Sequence, residues 1–115
     1  MLEKPSFLQG VFTATGQGLG APTPLTPPAR YSVPVDKRAQ TIYFRAGNAA
    51  SELIALVLTR GGEPMRYFPV GAKADVHVPL RVVEDIDGGS VIELRLLAPE
   101  GLTGTLVVDL GLVEH

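Results

Sequence analysis

At 115 residues, with ten basic and twelve acidic side chains and a net charge of −2, the chain is the size of one domain. Its cations, among them Lys37, Arg38, Arg60, Arg81 and Arg95, are scattered and interleaved with acids. That excludes the basic stripe that nucleic acid binding requires. Cysteine is absent, which excludes a disulfide framework and thiol chemistry and fits a cytoplasmic protein.

The longest apolar run, Leu53 to Leu58, is far short of a membrane span, and glycines break up residues 1–20 where a leader would need an apolar core. Neither a membrane nor a leader is therefore expected. Apolar residues make up 45% of the chain and charged residues only 19%, with a mean hydropathy of +0.22. So little charge leaves apolar surface to be covered, and the expectation is a homo-oligomer or a protein partner.

From Pro5 to Ala29 no side chain is charged, while Pro5, Pro22, Pro24, Pro27 and Pro28 rule out a helix. Disordered tails are poor in large apolar groups, yet this stretch holds Phe7, Leu8, Val11, Phe12, Leu19 and Leu25. Residues 1–30 are accordingly expected to form an extended arm, with a short strand over 6–13, whose apolar side chains lie on the chain's own domain or, as the leading expectation, on a neighbouring subunit. The domain proper would then be residues 31–115.

Beyond Gln40 the chain reads as strand after strand. Ile42 and Phe44 alternate with Tyr43 and Arg45, a period of two that puts Ile42 and Phe44 inward. Glu52 to Thr59 is a continuous apolar run, read as a strand rather than a helix because Gly61-Gly62 follows as a hairpin turn. Met65 to Val70 returns. Val76, Val78 and Leu80 alternate with Asp75, His77 and Pro79, and the proline marks an edge or an end. Glu84 to Gly89 is an acidic turn, Val91 to Leu96 the next strand, and Ala98 to Gly101 a second hairpin. On the last strand Leu106, Val108, Leu110 and Leu112 face in, and Thr103, Thr105 and Asp109 face out. Six or seven such strands without an amphipathic helix predict an all-β fold: a two-sheet antiparallel β-sandwich, jelly-roll or immunoglobulin-like.

Chemistry is sparse. Gly16-Gln17-Gly18-Leu19-Gly20 lacks the spacing and the following helix of a phosphate loop. Glu84, Asp85 and Asp87 are the metal candidates, as oxygen ligands for calcium, although one short turn supplies too few oxygens for a complete site. No cofactor is expected. Tyr43 and Arg45 share a strand face, as do Arg66 and Phe68, while Tyr67 points the other way. Were these strands neighbours, one face would display a Tyr-Arg-Phe patch. With His77, the residues Tyr43, Arg45, Arg66 and Tyr67 form the ligand-binding candidates. Asp75 lies two residues before His77 and could orient its imidazole as a general base, the remote enzymatic alternative. No serine sits in a nucleophile elbow, so catalysis is disfavoured. The leading expectation is a non-catalytic, self-assembling structural or interaction subunit. The alternative is a small-molecule or carbohydrate binding module.

Overall fold

The computed structural model describes residues 3–80 and 84–115. Among the described residues eight strands run in chain order: β1 (Lys4–Thr15), β2 (Gly18–Ser32), β3 (Ala39–Asn48), β4 (Ile54–Arg60), β5 (Glu63–Val70), β6 (Asp75–Pro79), β7 (Val91–Ala98) and β8 (Thr103–Glu114). All pairings are antiparallel, and the lateral order is β5-β4-β7-β2-β1-β8-β3-β6. β1 and β2 meet only at Thr13 and Thr26, so the chain folds there into two sheets. The first sheet is β1-β8-β3-β6 and the second is β2-β7-β4-β5. The expected β-sandwich is what forms. Among the described residues no helix is long and apolar enough to cross a membrane.

The core lies between the sheets and follows the alternation of the sequence. Leu106, Val108, Leu110 and Leu112 of β8 and Ile92, Leu94 and Leu96 of β7 are all buried, as are Ile54, Leu56 and Leu58 of β4. Phe44 of β3 stacks on Phe68 of β5 across the gap, with ring centres 4.0 Å apart and planes 10° from parallel. Gly61 and Gly62 join β4 to β5 at φ of +57° and +85°, the pair of positive angles a tight hairpin needs.

Residues 4–32 do not form an arm. β1 pairs with β8 along its whole length, from Lys4–Glu114 to Thr15–Thr103, and β2 pairs with β7. Because β2 runs on to Ser32, no boundary falls at residue 30. Phe12 and Leu25, expected on a neighbour, lie in the chain's own core. β1 and β2 stand side by side in the lateral order, where the chain passes from one sheet to the other. The prolines are absorbed where β2 slips register against β7, between Gly18 and Thr23 and between Pro24 and Ala29, so few ladder donors are missed.

A bulge on β3 corrects a second expectation. Thr41 faces Leu112 and Tyr43 faces Gly111, which leaves Ile42 as the extra residue. Thr41 is therefore buried and Ile42 exposed, the reverse of simple alternation. At the other end of β3, the buried Asn48 side chain donates to the carbonyls of Glu52, Val70 and Gly71 and accepts from the Ala50 amide. It ties the loops after β3 and β5 together beside Gly47.

Candidate functional site

Side chains on the outer face of the first sheet fall into cross-strand rows. The middle row reads His77 (β6), Arg45 (β3), Asp109 (β8), Gln9 (β1). One step along the strands lies Asp75, Gly47, Val107, Val11, and one step the other way lies Pro79, Tyr43, Gly111, Phe7. Neighbours within a row are about 4.8 Å apart, so the middle row offers a near-continuous strip of hydrogen-bonding groups. A groove of about 970 Å³ runs over it, lined by Gln9, Val11, Arg45, His77, Val107 and Asp109 among others.

Asp109 organises the strip. Arg45 Nη2 donates to Oδ2 at 2.6 Å, and the Tyr43 hydroxyl donates to Oδ1 at 3.0 Å. The guanidinium carbon of Arg45 sits 5.5 Å from the centre of the Tyr43 ring. His77 meets that ring edge-on at 6.2 Å. One carboxylate thus fixes the orientation of a phenol and a guanidinium, and the imidazole closes the cluster.

Two glycines shape the surface. A Cβ on Gly111 would fall inside the Tyr43 ring, so the tyrosine lies flat against bare backbone. A Cβ on Gly47 would meet nothing, and the missing side chain opens the floor between Asp75 and Val107. Val11 and Val107, 61% and 60% exposed, provide an apolar rim.

Burial first, then the Asp109 hydrogen bond, raises the Tyr43 phenol above its ordinary value of 10.0. The Asp109 hydrogen bond also raises Arg45 above its usual range. A phenol raised by folding contributes its stability in full below about pH 10 and loses it as pH climbs through the raised value. Subtracting the tyrosinate absorbance titration of Tyr43→Phe from that of the parent should therefore leave a component with its midpoint above pH 10. A midpoint at or below 10 would mean that the phenol is not held by Asp109.

The candidates from the sequence divide. Tyr43, Arg45 and His77 come together. Arg66 and Tyr67 belong to β5 in the other sheet, and Phe68 is core, so the Tyr-Arg-Phe patch does not form. Arg66 instead holds Glu84, with Nη2 at 2.7 Å from Oε1. The acidic turn is taken up in the same way: Asp85 accepts from Gln40 at 2.7 Å and pairs with Arg38, and Asp87 pairs with Arg60. Among the described residues no group of three His, Asp or Glu side chains is placed to hold a metal ion. Asp75 and His77 both face outward, opposite Gly47 and Arg45.

Gln9, Gly47, Val107 and Gly111 were not singled out by the sequence, and Asp109 only as an outward residue. The available signal was a lone acid on the outer face of β8, two residues before a glycine.

No protein-family model matches the chain, and no curated protein does. Among solved structures it is similar in fold to the CBM36-1 domain of a multidomain xylanase from the hindgut metagenome of Trinervitermes trinervoides. The TM-score is 0.63 over 95% of this chain and 96% of that one, at 16% sequence identity. The likeness is one of fold.

Proposed function

We propose that this domain is a carbohydrate-binding module whose ligand lies across the outer face of the first sheet. The observation that carries the reading is the strip His77, Arg45, Asp109, Gln9 beneath an open groove with a valine rim, with Tyr43 held beside it on Asp109. A saccharide offers hydroxyls that both donate and accept, and a C–H face that packs on aromatic or aliphatic groups. Asp109 accepts, Arg45 donates, and Gln9 does both. The fold shared with a CBM36-1 domain supports the reading. Arg45 against Asp75 and Asp109 leaves the face with a slight negative excess, which favours a neutral glycan over an acidic one.

The test is a calorimetric titration with neutral xylo- and cello-oligosaccharides, on the parent and on Gly47→Phe. Gly47 has open space above it and an ordinary backbone, so phenylalanine should fill the groove without unfolding the sheet. Saturable binding by the parent, weakened at least tenfold in the variant, is the expected result. Equal affinities would remove the groove from the reading.

Exposure of Phe7, Val11 and Val107 on this same face favours a second reading, in which a copy of this chain covers it. A stable dimer by light scattering that Val11→Lys converts to monomer would support that reading over ligand binding.

A further inference from the structure

The outer face of the second sheet carries a different kind of cluster. Glu93 of β7 stands on this solvent side yet is only 5% exposed. Arg30 of β2 faces it across the strands, with Nε 3.4 Å from Oε2. Arg95, two residues along β7, donates to Oε1 from Nη2 at 3.1 Å and from Nε at 3.3 Å. On the far side Thr59 donates to the Glu93 carbonyl at 3.0 Å. Two guanidiniums thus flank one carboxylate, leaving an excess positive charge where the first sheet has an excess of negative.

The carboxylate is incompletely satisfied. Oε2 is buried and accepts no hydrogen bond from the described residues, the Arg30 contact being close in distance but poorly directed. A buried acceptor without a donor is costly, so the arrangement wants a donor that the described residues do not supply. Arg30 is the group best able to make room, since its side chain is 58% exposed. Next along the sheet comes the row Pro24, Arg95, Val57, Tyr67, in which Val57 is fully buried and Tyr67 stands 61% exposed at the edge strand.

We propose that this face is a second, separate binding surface for an acidic saccharide of the hexuronate type. Its parts correspond to the three kinds of group on such a ligand. The ligand carboxylate pairs with Arg30 and Arg95, whose planar forks suit carboxylate geometry. A ring hydroxyl donates to Glu93 Oε2 once Arg30 turns toward the ligand. The C–H face of a neighbouring residue of the chain packs on Tyr67. A neutral sugar would leave the guanidiniums no anion, and inorganic phosphate would bring neither the C–H face nor a series of hydroxyls.

The test is calorimetric titration of the full chain with an oligogalacturonate and with the same oligomer reduced to its neutral galactose form. Arg30→Ala and Tyr67→Ala alter exposed side chains and should leave the fold intact, which circular dichroism checks. The parent should bind the acidic oligomer, weakening as salt is raised, and bind the neutral form at least tenfold less well. Each variant should lose at least tenfold in affinity, while Asp109→Ala on the opposite face should lose none. Absence of binding, equal affinity for the neutral oligomer, unchanged affinity in Arg30→Ala or Tyr67→Ala, or loss through Asp109→Ala would each overturn the proposal.

Discussion

Truncation of Phe44 to alanine is expected to destabilise the domain by about 3–5 kcal/mol, the range for deleting a large buried aromatic. Phe44 has no exposed surface and stacks on Phe68, joining β3 of one sheet to β5 of the other. Both sides of that contact are lost together. The cavity lies between edge-side strands of both sheets, and neighbouring Leu110 and Val78 belong to strands whose register is fixed by hydrogen bonds, so collapse around it is limited. Since small domains are commonly stable by only about 5–15 kcal/mol, the variant should unfold at markedly lower urea, with an unchanged slope. Phe44→Leu should recover much of the loss. A variant within about 1 kcal/mol of the parent would show that the two sheets are not held together at this point.

Asp109→Ala is expected to separate binding from stability. Its ion pair with Arg45 is on the solvent side, where such pairs add little to stability, so the melting temperature should move little. Affinity for a neutral oligosaccharide should nevertheless fall at least tenfold, about 1.4 kcal/mol or more. The carboxylate is an acceptor for the ligand and the anchor of two neighbours: without it the Tyr43 hydroxyl and the Arg45 guanidinium lose their common partner. Asp109→Asn keeps the shape and one acceptor oxygen, and should fall between the two. A large loss of stability with unchanged affinity would make Asp109 a structural residue.

Much of the fold was legible because a half-buried strand declares itself by alternation. β6 and β8 show a period of two, and Gly61-Gly62 marks its hairpin by the angles only glycine adopts readily. Residues 4–32 were misread because proline density mimics an extended arm. Local composition does not reveal that register slips in β2 accommodate those prolines, nor that β8, about a hundred residues later, pairs with β1. Ile42 failed for a similar reason, since a bulge is defined by the partner strand and β8 lies far along the chain.

The site was only half legible for the same physical cause. Tyr43, Arg45 and His77 could be picked out by residue type, but their common surface exists through the pairing of β3 with β6 and β8. That pairing also separated Arg66 and Tyr67 from them. Gly47 and Gly111 act by what they lack, a side chain over the groove floor and one under the Tyr43 ring, and absence has no signature in a single sequence.

The central claim is that the outer face of β1, β8, β3 and β6 holds a carbohydrate. Its most direct test is amide chemical-shift mapping during titration with a neutral xylo-oligosaccharide. Saturable shifts concentrated at Gln9, Val11, Tyr43, Arg45, Gly47, His77, Val107 and Asp109, with the second sheet unmoved, are the predicted result. An unshifted spectrum at saturating oligosaccharide, or shifts centred on the second sheet or the acidic turn, would contradict it.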